Sequence, residues 1–324
     1  MRVLAGDIGG TNARLAIAEV AAGAPRIVKE QRYPSGGSPG LAPIIRTFLD
    51  WAGEKVERAC FGIAGPVVDG ECRTPNLPWT VSARALAGDI GIPGTSIIND
   101  FVAAAHGVGC LAPADLVTLQ PGKPAAHGTI ALIGAGTGLG QGYLVWDGGR
   151  YRVHPSEGGH ADFAANDEEA WTLRMSLLDE WGRVSWERVL SGSGLAHVYR
   201  HLAAGGFAPE RPDVQREMHD DDPAAVVTRH ALAGDDPISV NALDAFVAAY
   251  GAQAGNLALT VLATGGVYLG GGIAPRITRK LGDGSFLNAF RNKGRLAELM
   301  GRIPVHVIVS PDVGLLGAAR AAAE

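Results

Sequence analysis

The sequence has no cluster of lysine and arginine, and its 28 basic and 33 acidic side chains leave a formal charge of −5. Nucleic-acid-binding faces need concentrated positive charge, so no nucleic-acid partner is expected. Cysteine is scarce. Cys60, Cys72 and Cys110 are dispersed, odd in number, and form no Cys-x-x-Cys. That pattern fits reduced thiols in a cytosolic protein better than a disulfide framework. No signal peptide is expected, because Asp7 interrupts the only apolar candidate near the start of the sequence. No charged residue lies between Asp244 and Arg276, yet a membrane helix needs about 20 mostly apolar residues. Gln253, Asn256, Thr260 and Thr264, with Gly251, Gly255, Gly265 and Gly266, interrupt this stretch. Phe246, Tyr250, Leu257 and Val261 recur near one helical face, so it reads as a buried helix ending near Thr264, then a buried strand over 267–269. No membrane partner is expected.

The 324 residues are 47% hydrophobic and 19% charged, enough for a sizeable core in two domains or one large one. Glycine is abundant, at 46 residues, so a lone Gly-x-Gly carries little information. Strands are expected over 2–7, 13–19, 26–32, 58–63 and 95–99. Helices are expected over 39–51, over 82–87 with Ser82 as cap, and from 101 onward. The pattern then restarts with strands over 129–133, 141–146 and 151–154. Helices dominate from 168 to 264, a strand over 305–309 follows, and a helix over 313–322 closes the chain. The strand–turn–strand openings GDIGGTNARLAI and GAGTGLGQGYLV make two related α/β halves the expected architecture. The stretch 207–223 reads as a surface insertion, with Asp222-Pro223 starting a helix.

Asp7 sits inside a glycine turn, where backbone N–H groups suit phosphate. At about 5 Å and an effective dielectric near 20, two like charges repel by roughly 3 kcal/mol. A magnesium ion, bridging phosphate oxygens and carboxylate-held waters, removes that conflict. The alternative is a plain hairpin with Asp bonding locally. GAGTGLG, with Thr137 and Gly138, lacks the lysine of a Walker loop, and a strand rather than a helix follows it. GGVYLGGGIAP can let an adenine ring lie against backbone, or can simply be a tight turn. In SIINDF, Asn99 and Asp100 end a buried strand, where ligands bind in α/β sheets. Asp100 there is either a proton acceptor for an attacking hydroxyl or part of a helix cap. In HPSEGGHADF, His154, Glu157 and His160 share no helix face, and a polar ligand pocket suits them better than a metal. Glu187 lies near a helix start, where the alternative is a contact with the helix dipole. Ser191-Gly192 follows it as a possible start of another helix. These acceptors favour a neutral polyol, since no arginine accompanies them to clamp an anion.

In order, GDIGGTNARLA, IINDF, GAGTGLG, EGGH, ERVLSGSGL, NLAL, GGVYLGGGIAPR and DVGLLGAA resemble the bacterial glucokinase family of the hexokinase/actin/Hsp70 ATPase superfamily. The resemblance spans nearly the whole chain. It implies a two-lobed actin-like ATPase (ribonuclease H-like) α/β fold, with duplicated mixed-sheet domains and a cleft between them. A small domain of 1–110 plus 302–324, a large domain of 111–301, and hinges near Gly109 and Gly301 are implied. So is ATP-dependent phosphorylation of the C6 hydroxyl of D-glucose, with Asp100 as base and Asn99, Asp100, Glu157, His160 and Glu187 on the sugar. Gly6, Asp7, Ile8, Gly9, Gly10, Thr11, Thr137, Gly138, Gly271 and Gly272 would border the nucleotide, with Asp7 reaching Mg2+ through water. Related zinc-containing sugar kinases carry a cysteine-rich motif after the equivalent histidine. Here ADFAAND follows, so no zinc is expected. The resemblance also implies a cytoplasmic homodimer. A kinase for fructose or mannose, or a non-enzymatic sugar- or nucleotide-responsive protein, are the competing readings.

Overall fold

Strand β1 (Arg2–Ile8) is apolar on both faces, and both faces are covered. In the computed structural model, which describes residues 1–21, 24–74 and 77–324, Leu4 and Ile8 enter a core with Ile44, Ile45 and Phe48. Val3 and Ala5 enter another with Leu315, Ala318 and Ala319. This period-two division is what a central strand between two helical layers requires. β1 pairs antiparallel with β2 (Asn12–Ala21), and β2 with β3 (Ala24–Pro34). Helix α1 (Leu41–Ala52) leads to β4 (Arg58–Ile63), which is parallel to β1. A small antiparallel sheet of β5 (Val67–Val68), β6 (Glu71–Arg73) and β7 (Thr80–Ser82) follows, then helix α2 (Ala83–Ile90). β8 (Gly94–Asn99) lies parallel to β4 and runs into α3 (Asp100–Val108). The sheet order is β3-β2-β1-β4-β8.

After β9 (Leu116–Gln120), the same arrangement returns. β10 (Ile130–Ala135) is antiparallel to β11 (Leu139–Trp146), and β11 to β12 (Tyr151–Ser156). β13 (Gly266–Gly270) is parallel to β10, and β14 (Val305–Ile308) to β13. The order is β12-β11-β10-β13-β14-β9, so five strands repeat the order and directions of the first sheet. β9 adds an antiparallel edge. Between β12 and β13 lie α4 (Glu168–Trp181), α5 (Gly192–Ala204), α6 (Pro212–Asp220), α7 (Pro223–Ala233) and α8 (Pro237–Thr260). The short helices α9 (Thr278–Leu281), α10 (Ser285–Arg291) and α11 (Ala297–Arg302) precede β14, and α12 (Val313–Ala323) follows it. The duplicated mixed-sheet α/β fold expected from the two glycine turns is present.

Two compact units result, Met1–Asp115 with Ser310–Glu324, and Leu116–Val309. The second crossing falls later than the expected 301/302 because β14 is hydrogen-bonded into the second sheet. The charge-free stretch is α8 followed by β13. α8 stops at Thr260 rather than near Thr264, because Leu262 takes a positive φ of 48° and the chain turns back with Ala263 N donating to Ala258 O at 2.9 Å. No helix among the described residues is long and apolar enough to cross a membrane. Ser82 does occupy the N-cap position of α2, but its side chain makes no cap bond. Ala83 N donates instead to Gly70 O at 2.9 Å. Asp222 does cap α7, accepting from Ala224 N at 3.1 Å ahead of Pro223. The small β5–β7 sheet and β9 were not expected, being too short or too polar to show period-two patterning.

α3 and α12 approach until their backbones touch. A Cβ on Gly107 would overlap Val313 O, and one on Gly317 would overlap Ala103 O. A Cβ on Gly62 of β4 would lie 2.8 Å from Ala103 Cβ. These glycines set where α3 begins, and therefore where Asp100 sits. Gly317→Ala overpacks this contact and is expected to cost about 1–3 kcal/mol, partly offset by ~0.5–1 kcal/mol of helix propensity. Thermal melts followed by circular dichroism should show a fall of several degrees. Gly88→Ala in α2, where an added Cβ meets nothing within 4 Å, should leave the melt unchanged or slightly raised. Equal melts for the two variants would refute this account of the contact.

Candidate active site

The first glycine turn is braced from within its own unit. Gly9 N donates to Asn12 O at 2.9 Å, closing the hairpin. Ser35 is fully buried. Its Oγ donates to Gly9 O at 2.9 Å and its N–H to Thr11 O at 2.9 Å. Gly10 and Thr11 are left outward. Gly6 lies inside β1, where a Cβ would sit 2.5 Å from Phe61 Cδ1, so packing alone demands glycine there. Ile8 is in the core, and its carbonyl accepts from Ala64 N at 3.0 Å. Only Gly9, Gly10 and Thr11 of the expected loop thus form the turn itself. Asp7 pairs across the sheet with Arg14. Burial raises its pKa, and the charges of Arg14 and Arg32 oppose that shift. Arg14 is engaged elsewhere as well, donating to Glu30 Oε1 at 2.7 Å and to Asp312 Oδ1 at 2.5 Å.

Asn99 and Asp100 divide their work at the start of α3. Asn99 is the cap: its Oδ1 accepts from Phe101 N at 2.9 Å and Val102 N at 3.3 Å, and its Nδ2 donates to Gly65 O at 2.9 Å. Asp100 accepts from Phe101 N at 2.8 Å through Oδ1. Its pKa is pushed up to about 6, first by burial and then by the charge of Asp7, against hydrogen bonds that favour the anion. Two desolvated carboxylates that repel each other form a hard oxygen-donor environment, which a divalent cation would relieve. No group of three or more His, Cys, Asp or Glu able to hold a metal occurs among the described residues. Hard oxygen donors of this kind, too few for a closed protein cage, fit a divalent cation that would be held mainly through water.

Glu157, His160 and Glu187 come together in the second unit. Gly158–His160 forms a single 3-10 turn behind Glu157, and His160 N donates back to Glu157 O at 2.9 Å. His160 Nε2 lies 3.9 Å from Glu157 Oε2, and its Nδ1 lies 3.9 Å from Glu187 Oε1. Glu157 projects outward, with its side chain 86% exposed. Glu187 does not start a long helix. It sits in the turn Trp186–Arg188, and its Oε2 accepts from Leu139 N at 2.9 Å. A Cβ on Gly138 would lie 2.5 Å from that same oxygen. The carboxylate thus clasps the second glycine turn while its other oxygen faces His160. Ser191 does begin α5, accepting from Gly194 N at 3.0 Å and donating to Glu187 O at 2.7 Å.

Thr137 and Gly272 line a cavity of about 630 Å³ in the second unit, together with Ser193, Thr228, Arg229 and Arg276. Gly271 has a positive φ of 78°, and a Cβ there would overlap Ala135 O, so glycine there lets the chain leaving β13 pass close to the end of β10. Gly272 is open to the cavity and would tolerate a Cβ sterically. Thr228 and Arg229 were not anticipated. They come from α7, whose only sequence signal was the Asp222-Pro223 cap, and nothing in their spacing points to a ligand. Ser35 was missed for the same reason, since a lone serine after a strand has no signature until its partners are known.

The chain matches the family model described as glucokinase over residues 4–324. It is 44% identical to glucokinase of Trichormus variabilis over 337 aligned residues, covering 99% of this chain and 98% of that one. Among solved structures, it is similar to a glucokinase from an Antarctic psychrotroph, with a TM-score of 0.88, 32% identity, and coverage of 99% and 98% of the two chains. A ROK-family glucokinase from Streptomyces griseus, solved with glucose and AMPPNP, shares the fold at a TM-score of 0.69 and 22% identity, over 100% and 99% of the chains. With an α/β duplication of this kind and a match over almost its whole length, the chain belongs to the glucokinase family and has the actin-like ATPase fold.

Proposed function

We propose that the protein phosphorylates D-glucose at its C6 hydroxyl with ATP, and that Asp100 is the general base. The observation that carries this reading is the Asp100 carboxylate at the end of β8, desolvated enough to bring its pKa to about 6. Such a group is ionised at neutral pH yet more basic than an ordinary carboxylate, which suits proton acceptance from an alcohol. Asp100 takes the hydroxyl proton as the sugar oxygen bonds to the terminal phosphorus, and the bond from phosphorus to the bridging oxygen breaks to release ADP. Phosphoryl transfer leaves the protein mostly positioning and electrostatic work.

Asn99, Asp100, Glu157, His160 and Glu187 are assigned to sugar binding. The hydrogen bonds described above constrain what each can offer. Asn99 has committed its oxygen to the helix cap, so it offers the sugar an amide N–H. Glu187 has committed Oε2 to Leu139 N, leaving Oε1 as acceptor. Gly9–Gly10–Thr11 and Thr137-Gly138 are assigned to the phosphates, and the cavity lined by Gly272 and Arg276 to the nucleoside. Asp7 would hold magnesium through water, and the ion would supply charge neutralisation to the triphosphate. By analogy with the family, the protein is placed in the cytoplasm as a homodimer.

A coupled assay of ADP release across glucose, fructose and mannose, with and without magnesium, tests the reading. Glucose should give the highest kcat/KM, and turnover should need magnesium. A preference for fructose or mannose would reassign the substrate, and no turnover with any hexose would end the proposal. Asp100→Asn should lower kcat by about 10²–10⁴ while the dissociation constant for glucose, from tryptophan fluorescence, stays within a few-fold. Turnover kept within a few-fold would remove Asp100 from the base position. In the wild type, kcat/KM should rise with pH along an acid limb centred near the free-enzyme value of about 6, because only the anion accepts the proton.

The same shift has a stability consequence of opposite sense. A carboxyl whose pKa is raised on folding favours the folded state only while protonated, so stability falls as pH rises from about 3.9 to about 6. Asp100→Asn, which cannot ionise, should therefore melt higher than wild type above pH 6, by an amount equivalent to about 1–3 kcal/mol. The gap should close toward pH 4, and a constant gap across that range would contradict the assignment.

A further inference from the structure

Behind the turn that carries Glu157 and His160, β11 and β12 overhang α8, and a pocket of about 420 Å³ opens beneath them. Gln141, Tyr143 and Ser156 line it from the sheet, and Gln253, Asn256 and Thr260 from α8 and its end. No Asp, Glu, Lys, Arg or His lines it, so nothing there matches an ionic ligand. Leu257 and Val261 form an apolar floor between the polar groups.

Gln141 is the unusual member. It is only 4% exposed, and its Nε2 has no hydrogen-bond partner among the described residues. A buried donor left unpaired is costly and calls for an acceptor. Its Oε1 packs against Gly158, where a Cβ would collide with it. The opposite wall is already organised. Asn256 Nδ2 donates to Gln253 Oε1 at 3.1 Å, Lys293 Nζ donates to Asn256 Oδ1 at 2.9 Å, and Thr260 Oγ1 donates to Asn256 O at 2.8 Å. Ser156 Oγ accepts from Gly158 N at 3.1 Å. The pocket thus has a buried, unpaired amide donor in its wall, a fixed amide network opposite and an apolar floor. A hydroxyl-rich molecule with a C–H face satisfies all three.

We propose that this pocket is a second binding site, for an uncharged polyol or small oligosaccharide, and that its occupant alters the affinity for glucose. The coupling runs through Gln141, which lines the pocket and whose Oε1 packs against Gly158. Gly158 is flanked by Glu157 and, two residues on, by His160. The binding stands on the pocket alone, whereas the coupling rests on the assignment of Glu157 and His160 to glucose.

The test uses the ¹⁵N-labelled full chain saturated with glucose, titrated with sorbitol, myo-inositol and trehalose. One side-chain amide pair, assigned to Gln141 by its loss in Gln141→Leu, should shift saturably with a midpoint on the order of millimolar for at least one probe. Thr260→Trp, at the exposed end of α8, closes the mouth and should abolish the shift while keeping the fold. At saturating probe, the KM for glucose should change by about twofold or more with kcat unchanged. No saturable shift with any probe, or a shift that survives in Thr260→Trp, would overturn the site. Binding with an unmoved KM in an enzyme that turns over glucose would overturn the coupling. Binding in a chain with no kinase activity would leave the site standing and count against the proposed function instead.

Discussion

The contact between α3 and α12 is the constraint on which the rest of the first unit depends. Gly107 and Gly317 let two helical backbones meet, and Ala103 sits where both Gly62 and Gly317 approach it. Close packing of this kind leaves no slack, because native interiors are as dense as organic crystals. The start of α3 is therefore fixed relative to the end of β8, and Asp100 is held where burial raises its pKa. The fold holds a carboxylate where neutrality would be preferred, and it has the rest of the α3, β4 and α12 packing to hold it there.

The second unit meets a related problem by another route. Glu157, His160 and Glu187 carry two negative charges within reach of one imidazole, and all three remain partly open to solvent. Water screens that repulsion. What needs fixing is direction. Glu187 obtains it by accepting from Leu139 N, which also pins the second glycine turn. A single side chain thereby orients both the proposed sugar side and the proposed phosphate side, and Gly138 is glycine because that carboxylate occupies the space a Cβ would take.

The sequence was most readable where local chemistry and fold agree. The duplicated strand–turn–strand openings, the end of β8 at Asn99 and the Asp222-Pro223 cap needed only neighbours along the chain. Glycine was harder. Gly6, Gly62 and Gly271 look the same in sequence as Gly9 and Gly10, but they serve packing with Phe61, Ala103 and Ala135. Those partners are distant along the chain, so no spacing identifies them. Ser35 and Arg229 stayed hidden for the same reason. Glu187 drew attention near an expected helix start, but its grip on Leu139 could not, since that bond joins residues 48 apart.

The return of α12 to the first unit bears on how the protein is made. The face of β1 and β2 bearing Val3, Ala5, Ala16 and Ala18 is covered by Leu315, Ala318 and Ala319. On the ribosome, the opening strands emerge long before that cover exists. At about 5–20 residues per second, the intervening unit takes on the order of tens of seconds to translate. Throughout that time a flat apolar sheet face is bare in the nascent chain. The second unit, continuous from Leu116 to Val309, has every strand of its sheet in hand before the first unit is whole, so the natural order of assembly runs against the order of synthesis.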